Sequence, residues 1–137
     1  MDDLCAHFQH VNSAIERAVN RSLKGTLGIS RAQGIVLSRL IDTNLCVSQL
    51  ASVVDGDVGG VSRLVAKLCD SGLVQRQYDQ QDRRTCTLEL TLDGRSVAKD
   101  VRNTMIRSSD AAFNVLSKDE LQHFRSLLTR LVNNAKA

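Results

Sequence analysis

From Leu4 to Leu23 the apolar positions Leu4, Phe8, Val11, Ile15, Ala18 and Val19 recur every three or four residues, the spacing that lines one face of an α-helix. This predicts a long first helix, ended within Lys24-Gly25-Thr26-Leu27-Gly28, where two glycines break the period and permit a turn. Ser30 stands three residues before Gln33, so each side chain can cap the other's free N–H group. Ile35, Val36, Leu37, Leu40 and Ile41 then supply the buried side of a second helix. After the polar break Asp42-Thr43-Asn44, the segment Val47 to Val54 reads as a short third helix. Asp55-Gly56-Asp57 forms a tight turn, and Asp57 is placed to cap a fourth helix, from Val58 to Ser71. There Val58, Val61, Leu64, Val65 and Leu68 share one stripe. At about 100° per residue, Gly59, Arg63, Ala66 and Lys67 fall opposite it, flanked by Gly60 and Ser62. Gly72 closes the helix.

Beyond Gly72 the period falls from 3.6 to 2. Leu73 to Tyr78 and Thr85 to Leu90 are two extended runs joined by the polar tip Asp79-Gln80-Gln81-Asp82-Arg83-Arg84, which predicts a β-hairpin. Two short helices with a turn between them, followed by a hairpin, are the parts of a winged helix-turn-helix. Thr91 can cap a further long helix carrying Val97, Val101, Met105, Ala112 and Val115. Ser117, three residues before Glu120, caps a last one carrying Leu121, Phe124, Leu127, Leu128 and Leu131. The expected fold is mostly α with a small β-hairpin wing. It divides into a winged helix-turn-helix lobe over 30–95 and long terminal helices over 1–29 and 96–137. No linker is long enough to separate independent domains, so 1–137 reads as one domain.

Composition narrows the class. At 137 residues, 42% hydrophobic and 24% charged, the chain has the proportions of a globular domain with an ordinary core. No apolar run approaches the ~20 residues of a membrane span, and Met1-Asp2-Asp3 opens acidic where a signal peptide opens basic, so a cytoplasmic location without membrane contact is expected. Four cysteines are too few and too scattered for a disulfide scaffold. An enzyme is the first class to test. No Gly-rich phosphate loop follows a strand, no nucleophile elbow is present, and Gly56-Asp57-Val58-Gly59-Gly60 lacks both a preceding strand and a following Lys-Ser/Thr. Cys5, His7 and His10 do not make a metal site, because residues 5 and 7 lie about 200° apart around a helix. Neither a catalytic residue nor a cofactor is expected.

The order of elements, together with its local words, resembles the MarR family of bacterial transcription regulators. The words are Ser62-Arg63-Leu64-Val65 in the fourth helix, Ser71-Gly72-Leu73-Val74 at its exit, Asp82-Arg83-Arg84 at the hairpin tip and Leu90-Thr91 with Gly94 opening the next helix. Leu27-Gly28-Ile29-Ser30 followed by Gln33 looks like the family's start of the second helix. The resemblance spans nearly the whole chain and is strongest between residues 45 and 95.

It implies a non-enzymatic regulator, by family habit a repressor, that binds a pseudo-palindromic operator in double-stranded DNA as a homodimer through its terminal helices. In such a fold the fourth helix enters the major groove and the wing reaches an adjacent minor groove. The DNA-binding candidates are Ser62, Arg63 and Lys67 on the helix and Arg83 and Arg84 at the tip. The resemblance further implies that Asp82 pairs with Arg84 and aims it. Arg31 stands where the family commonly places proline. Gly59 and Gly60 stand where members often carry Ser or Thr that touch DNA, leaving base readout to fewer side chains or to backbone N–H groups.

Family members respond to a small ligand, often a phenolic or other aromatic acid, or to an oxidant. Cys5 is positioned like the reactive cysteine of the family's organic-peroxide sensors, although the one tyrosine, Tyr78, is in the wing and no cysteine follows Cys86. Cys46, Cys69 and Cys86 read as small hydrophobes. The competing class is a protein-interaction or anti-regulator module that keeps the fold without specific DNA binding. Net charge does not decide between them. The +3 arises in residues 96–137, with seven basic and four acidic side chains, while 57–95 hold six of each. Placement carries the argument for DNA.

Overall fold

The structure is a computed structural model that describes residues 3–54 and 56–137. Met1 and Asp2, read above for their acidic character, and Asp55, read as part of a turn, lie outside the described residues. Among the described residues six helices and one hairpin follow in the order α1 (Leu4–Leu27), α2 (Arg31–Leu40), α3 (Val47–Val53), α4 (Val58–Asp70), β1 (Val74–Tyr78), β2 (Cys86–Leu90), α5 (Leu92–Phe113) and α6 (Lys118–Ala135). Mostly α with a hairpin wing is therefore the architecture.

Capping side chains set the helix starts. Asp3 accepts from the Ala6 N–H, and Asp57 from the Gly60 N–H at 3.3 Å. Ser30 with Gln33 and Ser117 with Glu120 form reciprocal pairs, each satisfying two N–H groups that the helix leaves without partners. The first helix ends within the stretch expected, Lys24 to Gly28, but only one of its two glycines ends it. Gly25 lies inside α1, and Gly28, in the left-handed region at φ 66°, is the residue that ends it, its N–H donating to the Lys24 carbonyl at 3.1 Å. A glycine is tolerated within a helix, whereas the αL cap specifically favours one.

The core joins the lobe to the terminal helices. Val36, Leu37 and Leu40 of α2, Leu50 of α3, Val61, Val65 and Leu68 of α4, and Val74, Leu88 and Leu90 of the hairpin pack with Val19 and Leu23 of α1 and Ala98 and Val101 of α5. Polar ties fix α2 at both ends. Arg31 pairs with Glu16 at 3.2 Å and donates its backbone N–H to Asn20 Oδ1 at 2.9 Å, while Arg102 donates to the Ser38 carbonyl at 3.1 Å and to Asp42 Oδ2 at 3.3 Å.

β1 and β2 pair antiparallel with Val74 opposite Leu90 and Tyr78 opposite Cys86. Leu45, between α2 and α3, pairs with Leu88 on the other side of β2, exchanging bonds of 3.4 and 2.8 Å. A single bridge carries no alternating pattern for the sequence to display.

Two stripes depart from expectation. Val58 is 54% exposed despite its place on the apolar stripe of α4, and Val115 lies beyond the end of α5 and is 83% exposed. The stripe of α1 is buried only toward its C-terminal end, and α6 buries none of its residues; Phe124 meets Phe113 with ring centroids 6.1 Å apart.

Candidate nucleic-acid interface

α4 turns Val61, Val65 and Leu68 into the core, and the helical period therefore leaves Gly59, Ser62, Arg63, Ala66 and Lys67 exposed on one side. Arg63 lies back along the first turn, as long helical side chains do. A Cβ on Gly59 would stand 3.6 Å from Arg63 Nη1, and one on Gly60 3.8 Å from Nη2. The guanidinium thus lies over both glycines, at ordinary contact distance from where a Cβ would stand.

They also differ from each other. A Cβ on Gly59 finds only ordinary contacts, the nearest at 3.5 Å, whereas one on Gly60 would meet the capping Asp57 Oδ1 at 2.6 Å. Gly59→Ala is accordingly expected to raise stability by about 0.5–1 kcal/mol through helix propensity. Gly60→Ala should gain nothing, because displacing the cap costs about 1 kcal/mol. Thermal melts of the two variants check the contrast.

The hairpin tip is organised by Asp82. Its Oδ1 accepts the Arg84 backbone N–H at 3.1 Å and faces Arg84 Nε at 3.4 Å, and its Oδ2 accepts from the Thr85 hydroxyl at 3.4 Å. The Arg84 side chain is 95% exposed, so the pair contributes little to stability; its consequence is direction, with the guanidinium held outward. Asp79 builds the first half of the turn, its Oδ1 accepting from the Gln81 N–H at 2.8 Å and its own N–H donating to the Thr85 carbonyl at 3.0 Å.

Arg76 joins these candidates, although the sequence reading passed over it. Residues opposite one another in an antiparallel pair share a face, so Arg76 and Tyr78 lie on the side of Val74, Leu88 and Leu90, which is inward at the hairpin's base and open toward its tip. Arg76 reaches close enough to α4 to bear on Cys69. Burial pushes that thiol up, and the Arg76 charge partly opposes the shift. The signal was present in the alternation, since a basic residue on the apolar side of a half-buried strand is a departure from the period.

On the outer hairpin face Glu89 gathers the amides of Gln77, at 2.6 Å, Gln75 and Asn44, which together with Arg95 lower its pKa. A carboxyl depressed in the folded state contributes stability above its ordinary pKa and loses it as the pH falls through the folded value. The hairpin should therefore weaken as the pH falls below the ordinary carboxylate range, and Glu89→Gln should remove that part of the pH dependence. The amide signals of Gln75 and Gln77 followed by NMR through an acid titration would show it.

Cys5 is exposed on the first turn of α1, while Cys46 precedes α3 with its Sγ 3.1 Å from Ser48 Oγ. Hydrogen bonding to the Ser48 hydroxyl, and then to the Gln49 backbone, lowers the Cys46 thiol. Among the described residues no cluster of His, Cys, Asp and Glu could hold a metal ion, and no helix is long and apolar enough to cross a membrane.

A helix pair whose second member exposes small and basic residues, followed by a hairpin with an arginine tip and flanked by long terminal helices, defines a winged helix-turn-helix fold. The chain's fold is the winged-helix fold of solved MarR structures. The reduced form of MarR from E. coli superposes with a TM-score of 0.85 over 96% of this chain and 97% of that one, at 24% identity. A further MarR structure gives a TM-score of 0.81 at 27% identity, covering 98% of this chain and 94% of its own. In sequence, the HTH-type transcriptional regulator BilQ of Clostridium symbiosum (strain WAL-14163) is 27% identical over 89 residues, 65% of this chain. The chain spans 62% of that relative's length. No protein-family profile matches the chain.

Proposed function

We propose that this chain binds double-stranded DNA as a homodimer and regulates transcription, reading an operator with α4 and the hairpin tip. One observation carries the reading: Ser62, Arg63 and Lys67 stand exposed on α4, in the same lobe as an arginine aimed outward by Asp82. That is the pairing of a major-groove helix with a minor-groove arginine. A mutant E. coli MarR with operator DNA, and S. aureus MepR with DNA, support it as proteins of the same fold.

The homodimer is supported by apolar side chains that the chain leaves exposed on its terminal helices: Leu4, Phe8 and Val11 on α1 and Leu127, Leu131 and Val132 on α6. A second copy covers them and sets two α4 helices about one DNA turn apart. Repression fits a protein occupying a promoter. Its relief by a small effector is supported by a recess of about 240 Å³ between α2 and α4, lined by Arg31, Ile35, Val54 and Leu64 among others. Oxidation at Cys5 is the alternative trigger.

Light scattering on dilute protein should return the mass of two chains. Arg84→Ala should weaken DNA binding and flatten its dependence on salt by about one phosphate equivalent. The mass of a single chain would remove the two-half-site mechanism.

A further inference from the structure

The two arginines of the hairpin tip face different surroundings. Asp82 holds Arg84 outward. Arg83 instead lines an open concavity of about 660 Å³ with Tyr78, Asp79 and Gln80. Tyr78 is the chain's one tyrosine, the last residue of β1 and 58% exposed. Exposing a ring of this size on a strand whose inner face is apolar forgoes the burial that aromatic residues usually gain.

The chemistry of the lining is specific. A guanidinium and a phenol offer charged and neutral donors beside a flat apolar ring, and Gln80 adds an amide. The one opposing group is the Asp79 carboxylate, whose Oδ1 is taken by the Gln81 N–H. A phosphodiester with its sugar matches this set, since the phosphate accepts from Arg83 and Tyr78 while the deoxyribose lies on the ring.

We propose that Tyr78 and Arg83 clasp one phosphodiester of the DNA backbone at the tip of the wing, leaving Arg84 alone to enter the minor groove. The inference rests on the DNA-binding reading and divides labour within it. Phosphate contacts set register without reading sequence, whereas an arginine in a narrow minor groove selects A·T-rich DNA. Asp82 therefore serves the residue that reads, and Tyr78 serves the one that positions.

The test uses full-length protein and duplexes selected from a random pool, with affinity followed by fluorescence anisotropy across a range of salt. Arg83→Ala should weaken binding to all duplexes alike and reduce the salt slope by about 0.9. Tyr78→Phe should cost about threefold to tenfold at an unchanged slope, because it removes a hydrogen bond and no charge. The Tyr78→Phe/Arg83→Ala double variant should lose less than the product of the two single losses, as expected of groups sharing one phosphate. Asp79→Asn should tighten binding, and Arg84→Ala should instead erase the preference for an A·T-rich flank. The proposal is overturned if Tyr78→Phe and Tyr78→Ala, folded by circular dichroism, both bind as wild type does. It is equally overturned if Arg83→Ala and Arg84→Ala lose the same A·T discrimination. Failure of the wild-type chain to retain any duplex would instead remove the DNA-binding reading itself.

Discussion

Gly94→Ala should destabilise the protein by ~3 kcal/mol or more, among the largest effects expected of one added methyl group. Gly94 is buried in the first turn of α5, and a Cβ there would fall on the carbonyl oxygen of Leu73. That carbonyl cannot swing aside, because it accepts the Thr91 N–H at 3.1 Å, while the Thr91 hydroxyl donates to the neighbouring Gly72 carbonyl at 2.7 Å and accepts the Gly94 N–H at 2.9 Å. The α4–β1 connection and the start of α5 are thus stitched together through backbone groups with no flexible side chain to yield. Thermal unfolding should show a drop of roughly 10 °C for a chain of this length, and an unchanged melting temperature would mean that α5 starts elsewhere. Gly25→Ala, at a position with open space around it, is the control and should be neutral or mildly stabilising.

Arg63→Ala should lower affinity for a selected duplex by about tenfold to a hundredfold, corresponding to about 1–3 kcal/mol, while leaving the fold intact. With glycines at 59 and 60, Arg63 is the long side chain over the first turn of α4, so no neighbour can replace its contacts. Lys67, one turn further along, should cost less and act through salt dependence, as a point charge on a phosphate does. Anisotropy titrations compared with melting curves separate a binding loss from a folding loss. Equal affinity in Arg63→Ala would move readout off α4.

Much of this architecture could be read along the chain because local rules and burial agree. The reciprocal caps at Ser30 and Ser117, the change of period after Gly72 and the stripe of α4 each depend on residues close in sequence. What the sequence left dark depends on distant partners. Leu45 becomes a bridge only because Leu88 comes to lie beside it, and Gly94 becomes indispensable only because Leu73 arrives above it. Gly25 and Gly28 are equivalent as breakers, and only the path of the chain selects which of them takes the left-handed conformation. In the proposed interface, the exposed placement of Arg63 and Lys67 followed from spacing, and the Asp82–Arg84 pair from family likeness. Arg76 showed only as a break in the alternation, and Tyr78 not at all, because a strand period says which side a residue takes and not how far the core extends beneath it.

The central claim, sequence-specific reading of DNA by a dimer, is tested most directly by selecting duplexes from a random pool and measuring the selected sequence against scrambled DNA at physiological salt. The account predicts a two-fold symmetric sequence whose half-sites lie about one helical turn apart, bound by two chains at least a thousandfold more tightly than scrambled DNA. Equal retention of both DNAs, or of neither, would contradict it and leave the fold to a protein-interaction module.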